Sequence, residues 1–326
     1  MTTNSALAEI QAPVRDGLRA VLHEMERIVT GDAPLLAQVG RHLMAMQGKM
    51  FRPTLVLLSS ATADSSTDRA ITIGAVVELI HLATLVHDDA VDHSVLRRGM
   101  PTINSLFSHQ ISVIMGDFLY STALTRLVAL DDMQALRTLV NASTAMTVGE
   151  MRQLSIANPL EFTEQDYEFL IRSKTASLMS AACEVGAMCG ARRHQQTLAR
   201  FGDALGMAFQ IADDLIDYTE ATETTGKPTG LDLREHKATL PLIAALRTMS
   251  PAARARVDAF FSNAEPDDAG VAEVIALVGE AGGLDYARQR GVEFAGLARE
   301  ALAELPDTVA REALASSISY VMERHA

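Results

Sequence analysis

Two short acidic motifs, Asp88-Asp89-Ala90-Val91-Asp92 and Asp213-Asp214-Leu215-Ile216-Asp217, are each embedded in apolar sequence of helical periodicity. Side chains four residues apart share one face of a helix, so Asp88 stands above Asp92 and Asp213 above Asp217. Carboxylates gathered in this way repel one another unless a cation joins them. A donor set made only of oxygens suits Mg²⁺, which completes its coordination with water and substrate phosphates, so the implied ligand is a diphosphate. Either motif alone would read as a solvated acidic helix end. The pair reads differently, because Leu79, Ile80, Leu82, Leu85 and Val86 ahead of the first motif, and Phe209 and Ile211 ahead of the second, are residues of an interior.

The remaining sequence supplies helices and little else. It is 48% hydrophobic, only 5% aromatic and lacks Trp, which favours an extensive helical core over a β-sandwich. Punctuation and a 3.6-residue period predict a helix over residues 6–29, a second ending at Gly48, a third following Pro53, and a fourth capped by Ser65-Ser66-Thr67-Asp68 that runs into the first acidic motif. Arg97-Arg98-Gly99-Met100-Pro101 breaks the chain. Further helices are expected over residues 111–129, 133–156, 163–189 and 195–219, the third opening on the capping-box pattern Thr163-x-x-Asp166. Residues 220–237 turn polar, after which helices resume, with starts at Ser250-Pro251 and Pro306-Asp307. No repeat or low-complexity linker interrupts the chain. The expectation is an all-α fold, a single large helical bundle over residues 1–326 whose facing helices can line an internal cavity.

A net charge of −13 argues against a nucleic-acid partner. Residues 1–11 lack a basic start followed by an apolar run, so no secretory signal is read. Charge interrupts the apolar stretches, as at Glu78 and His81 or at Asp117 and Arg126, and no transmembrane segment is expected. Cys183 and Cys189, six apart on one predicted helix, fit neither a metal spacing nor a disulfide and read as core residues in a reducing cytoplasm. Asn141-Ala142-Ser143 matches the glycosylation pattern, which carries no weight without secretion.

A diphosphate held only through metal would leave charge unbalanced, and several cations are placed to answer it. Gly48-Lys49-Met50-Phe51-Arg52-Pro53 puts two in a turn bounded by Gly and Pro, Arg97 and Arg98 follow the first motif, Lys174-Thr175 lies mid-helix, and Lys227 and Lys237 bracket the polar loop. A single Lys or Arg is ordinarily surface charge. Adjacent arginines on a turn can grip two phosphates, and a polar loop carrying lysines can close over a ligand. His81, seven residues before Asp88, lies about 20° from it around the helix and roughly 10 Å along the axis, although a core or surface histidine is the default. Glu78-Leu79-Ile80-His81 spells half of the Glu-x-x-His di-iron signature, but the chain has no second copy.

From about residue 45 to the C-terminus the chain resembles the trans-polyprenyl diphosphate synthases, in particular the long-chain octaprenyl and solanesyl type. The motifs that carry the resemblance are Gly48-Lys49-x-x-Arg52-Pro53, His87-Asp88-Asp89-x-x-Asp92 followed by Arg97-Arg98-Gly99, Gly116-Asp117-Phe118, Gly149-Glu150, Lys174-Thr175, Phe209-Gln210-x-x-Asp213-Asp214-x-x-Asp217, and Gly226-Lys227 through Lys237-x-Thr239. Two departures stand out: Met50 and Phe51 replace an Arg and an Ile common in the family, and His236 replaces a Gly that often precedes the lid lysine. The resemblance implies a homodimeric all-α bundle around a deep central hydrophobic cavity, with the helix within residues 1–30 a candidate dimer contact. It implies catalytic roles for Asp88, Asp89, Asp92, Lys174, Asp213 and Asp214, with Mg²⁺, three ions when substrate is bound, or Mn²⁺ in its place, held by Asp88, Asp92, Asp213 and Asp217. Arg97, Lys174, Thr175, Gln210, Lys227 and Lys237 resemble the allylic diphosphate contacts, and Lys49, Arg52, His81 and Arg98 the isopentenyl diphosphate contacts.

The implied reaction begins with loss of diphosphate from an allylic substrate of farnesyl or geranyl type, the developing charge being stabilised by metal and cations. The double bond of isopentenyl diphosphate attacks the carbocation, a proton leaves, and the product, five carbons longer, can react again in a site that excludes water. In short-chain relatives bulky aromatic residues close the pocket near Ala83 and Thr84. The small residues here imply a medium or long product, a quinone side-chain precursor, with a floor set by Ile80, Met115 or Leu124. A short-chain geranylgeranyl or farnesyl diphosphate synthase, a terpene cyclase and a non-catalytic subunit of a heteromeric synthase are the alternatives. Membrane contact would be transient, for release of a greasy product.

Overall fold

The computed structural model describes residues 3–30, 33–46, 48–63, 68–219 and 229–323. The predicted N-terminal helix is divided. Helix α1 (Thr3–Gln11) passes through a 3₁₀ turn, Ala12–Val14, into α2 (Arg15–Val29), because Pro13 has no N–H to continue the ladder. Leu7, Ile10, Val21 and Met25 are buried, and α1 packs on the last helix of the same chain. Its apolar face is therefore spent within the chain.

Helices α3 (Pro34–Ala45) and α4 (Phe51–Ala61) follow, then α5 (Asp68–Val91), the helix of the first acidic motif. Where the sequence reads only a break, the chain forms a small antiparallel hairpin, β1 (Leu96–Arg97) with β2 (Met100–Pro101), turned by Arg98 at φ +53° and Gly99 at φ +74°. Positive φ at both central residues is the primed turn that matches strand twist. Helices α6 (Ile103–Leu106), α7 (His109–Val128) and α8 (Met133–Leu154) lead to α9 (Glu164–Ile171), opened by the predicted capping box of Thr163 and Asp166.

The predicted continuous helix over residues 163–189 contains a π-helical turn, Arg172–Ala176, before α10 (Ser177–Gly190). Helix α11 (Gln195–Thr219) carries the second acidic motif, and α12 (Leu231–Arg234) lies in the segment read as polar loop. The remainder is α13 (Leu240–Leu246), α14 (Pro251–Phe261), α15 (Asp268–Glu280), α16 (Gly283–Ala303) and α17 (Val309–Glu323).

Helix α10 is the hub, packing on α4, α5, α8 and α11. Its Ser, Ala and Gly residues let neighbours approach closely, and the two motif-bearing helices α5 and α11 are thereby fixed against one element. A continuous hydrophobic cluster extends from Leu7 to Val321. Cys183 and Cys189 are free thiols, and burial pushes them up to about 12 and about 11 respectively.

Two helices, α5 and α7, are long and apolar enough to cross a membrane by length and composition alone, a test that a buried core helix also passes. Single charges such as Glu78 do not lower the mean hydropathy of a helix interior enough to fail that test. Helix α5 is two-thirds buried inside the bundle, whereas α7 is only one-third buried.

Candidate active site

The last turns of α5 divide the first motif by burial. Asp89 is buried, and its carboxylate accepts from Arg97 Nε at 2.9 and 2.8 Å and from Nη2 at 2.8 Å. It is thus the anchor that orients Arg97. Asp88 is half-buried and Asp92 exposed, one turn apart on the same face. Partial burial and then Glu150 push the Asp88 carboxyl up to about 6, with Asp92 adding to the rise and Lys174 opposing it.

Lys174 enters this face from the π-helical turn. Its Nζ lies 2.5 Å from Glu150 Oε1 and donates to Gln153 Oε1 at 3.1 Å. A π-turn inserts one residue and rotates the next stretch of helix about its axis, a distortion frequent at functional sites. Gly149 on α8 makes room for it, because a Cβ there would stand 2.9 Å from Ser173 Cβ. The same turn places Thr175 Oγ1 to donate to Gln210 Oε1 at 2.8 Å, and Gln210 Nε2 donates onward to Asp214 Oδ1 at 2.9 Å.

Asp214 is buried and also accepts from the buried Tyr167 hydroxyl at 2.6 Å. Burial, then Asp232, holds its carboxyl well above the usual range, while Tyr167 is driven further from ionisation by its own burial and by Asp214. Asp217, expected to face metal, accepts from the backbone N–H of Leu231 at 3.0 Å and of Asp232 at 3.1 Å. As placed, it ties α12 to α11. Asp213 is exposed.

Lys237 donates from Nζ to Glu235 Oε2 at 2.6 Å. Burial weighs against its charge, yet Glu235, with Asp232 and Asp92 beyond, keeps its pKa above the ordinary lysine value. Burial and then Asp217 push Asp232 up to about 6. Lys227 lies outside the described residues.

A second cationic group gathers around α4 and α5. Arg52 is enclosed; burial lowers its pKa and Glu78 opposes the change. Glu78, 4% exposed, is raised by burial, with Arg52 and Arg98 pulling it down. Arg52 Nε and Glu78 Oε2 are buried without hydrogen-bond partners, a donor and an acceptor that a bound polyanion with its water would satisfy. Enclosure and the guanidinium groups of Arg52, Arg98 and Arg97 press His81 well below its usual range, so it is a neutral imidazole. Arg98 Nη1 donates to Met46 O at 2.9 Å. Lys49 is exposed, its Nζ 5.8 Å from the centre of the Tyr320 ring.

Between these groups lies a cavity of about 380 Å³ lined by Arg52, by His81, Thr84 and Asp88 of α5, by Met146, Thr147 and Glu150 of α8, and by Lys174 and Thr175. Of the five residues expected to set product length, only Thr84 lines it; Ile80, Ala83 and Met115 are buried in the surrounding core, and Leu124 is half-buried on α7. Among the described residues no group of three His, Cys, Asp or Glu side chains can hold a metal ion unaided. The donors fit an ion shared with phosphate, since Mg²⁺ ordinarily takes one or two carboxylates and completes its shell from water and substrate.

Glu78, Tyr167 and Asp232 are absent from the sequence-derived site. Tyr167 carries no sequence signal, whereas Glu78 is visible only as half of a di-iron pattern. Glu150 is legible only as part of the Gly149-Glu150 motif.

The family model Polyprenyl synthetase matches residues 33–278. The chain is 36% identical over 97% of its length and 97% of the relative's to the all-trans-nonaprenyl-diphosphate synthase (geranyl-diphosphate specific) of Rhodobacter capsulatus. It is 35% identical, over 98% and 95%, to the nonaprenyl diphosphate synthase of Mycobacterium tuberculosis. Its fold superposes with a TM-score of 0.92, at 33% identity and 98% coverage of both chains, on the polyprenyl synthase of Caulobacter crescentus complexed with calcium and isoprenyl diphosphate.

Proposed function

The chain belongs to the polyprenyl synthetase family, and we propose that it condenses isopentenyl diphosphate with an allylic diphosphate repeatedly, giving a medium- to long-chain all-trans polyprenyl diphosphate. The observation that carries this is the convergence on one cavity of Asp88, Lys174 and Thr175 with Arg52 and His81. One set suits a diphosphate that leaves, the other a diphosphate that stays.

Divalent ions, Mg²⁺ first with Mn²⁺ as a substitute and three when substrate is bound, would be held by Asp88, Asp92 and Asp213 and would neutralise the departing diphosphate. Lys174, Arg97 and Lys237 add positive charge where negative charge develops, which lowers the barrier more than it tightens ground-state binding. Asp89 holds Arg97 in register for that task, and the Thr175, Gln210, Asp214 and Tyr167 chain holds the second acidic helix against the π-turn. Arg52, Arg98 and Lys49 grip the second diphosphate. Neutral His81 can accept or donate a hydrogen bond there without adding charge.

The long product is supported by the nonaprenyl relatives and by small Thr84 in the cavity wall. Homodimerisation is supported by the exposed apolar residues of α7 and α8, Ile114, Val128 and Met133, which a second copy would cover. The free thiols suit a cytoplasmic protein that meets a membrane only to release product.

Purified protein incubated with Mg²⁺, farnesyl or geranyl diphosphate and labelled isopentenyl diphosphate should incorporate label into a ladder of lengthening prenyl diphosphates. No incorporation would overturn the proposal. A product arrested at the first condensations would select the short-chain alternative, and a cyclic hydrocarbon the cyclase.

A further inference from the structure

Lys237 is reached through an unusual residue. Its backbone N–H donates to Asp232 O at 2.8 Å and that of His236 to Leu233 O at 3.0 Å, the paired bonds of a Schellman cap on α12. His236 occupies the left-handed position at φ +53°, where glycine is the ordinary choice and a Cβ is penalised. Its ring compensates. Nε2 hydrogen-bonds Asn263 O at 3.0 Å, and the imidazole meets Phe261 edge-on at 5.5 Å and Phe260 at 6.2 Å.

These contacts lie on α14 and the turn after it, while the adjacent Lys237 donates from Nζ to Glu235 and feels the charges of Asp232 and Asp92. A glycine would hold the same turn with nothing to fix it laterally. We propose that His236 is a positioning residue that clamps the α12 turn to α14 and so fixes Lys237 over the allylic diphosphate. The inference rests on reading Lys237 as a contact of that diphosphate.

The test compares His236→Gly, Lys237→Ala and the double variant in steady-state kinetics with farnesyl diphosphate and isopentenyl diphosphate, alongside thermal melting. Glycine removes the clamp and relieves the left-handed strain, so the melting temperature should stay within about 3 °C. The KM for farnesyl diphosphate should rise about ten-fold while that for isopentenyl diphosphate changes less than about two-fold. Because His236 acts through Lys237, the double variant should be no worse than Lys237→Ala alone.

Additive losses, or an unchanged farnesyl diphosphate KM in His236→Gly, would overturn the inference while leaving the reading of Lys237 intact. An unaffected KM in Lys237→Ala would remove both. Should His236→Gly fail to fold, Phe261→Leu, which removes the edge contact but keeps the turn, must raise the same KM in the same direction for the inference to stand.

Discussion

Asp88 and Asp89 are neighbours with opposite physical situations. Asp89 already has its cation, because the Arg97 guanidinium meets it through both Nε and Nη2. Asp88 carries a charge that burial and Glu150 disfavour. Asp88→Asn should therefore leave the melting temperature of the metal-free protein unchanged or slightly higher while turnover falls at least about 100-fold. Asp89→Asn should cost about 2 kcal/mol of stability as well as activity, since it leaves Arg97 without its counter-charge. Melting curves and label incorporation on the two variants check this, and an Asp88→Asn protein as unstable as Asp89→Asn would sink the distinction. Gly48 makes a parallel case: a Cβ there would stand 2.6 Å from Arg98 Cζ. Gly48→Ala should displace Arg98 and raise the isopentenyl diphosphate KM roughly ten-fold at near-constant farnesyl diphosphate KM, because only one side of the site is disturbed. Equal changes in both KM values would show that Arg98 serves neither substrate selectively.

Among the elements, α5 is the most legible in the sequence, because a long, mainly apolar stretch that runs into Asp88 and Asp92 specifies its type, and the four-residue spacing of those carboxylates specifies the face it turns to the cavity. The π-turn is not legible. Arg172–Ala176 is ordinary helical sequence, and the inserted residue is permitted by partners on other helices, Gly149 beside Ser173 and Gly206 beside Ala176, that no local pattern announces. Pro13 is visible as a residue, yet the apolar period resumes in phase at Leu18 and Val21 and conceals the break it makes. Position along α5 also sorts the residues proposed for product length. Thr84, four before Asp88, is about 40° from it around the helix, whereas Ala83 is about 140° away. The cavity, about 380 Å³, is at the small end of ligand pockets, which run from about 300 to 1,000 Å³. A long product must therefore part side chains of the core, starting at small ones such as Thr84. Thr84→Phe should shorten the product by one or more isoprene units, each about 5 Å of extended chain, and leave the first condensation intact. Chromatography of the dephosphorylated products measures this, and an unaltered length would mean that growth proceeds past another wall.

For the whole molecule, the net charge of −13 is felt most where carboxylates crowd, at Asp88 beside Glu150 and Asp92 and at Asp232 beside Asp217 and Asp213, and a cation at either place would relieve the repulsion. Asp88 and Asp232 both have folded-state pKa values raised to about 6. An aspartate in the unfolded chain titrates near 3.9, so between about pH 4 and 6 the folded form binds protons that the unfolded form has released. Rising pH through that window therefore removes stability from the metal-free protein, and the loss is complete above about pH 6. Cation binding works against the same repulsion and competes with the same protons. With Mg²⁺ and inorganic pyrophosphate present, the melting temperature should rise by several degrees at pH 7.5 and by clearly less at pH 5, relative to the protein in chelator at each pH. Measuring the difference at each pH cancels the titration of distant groups, which is common to both samples. Asp232→Asn should flatten the pH dependence in chelator while preserving much of the response to Mg²⁺, because Asp88, Asp92 and Asp213 remain. Equal metal-induced shifts at pH 5 and 7.5 would show that the raised carboxyls are not those that meet the cation, and would separate the acidic cluster from the metal site.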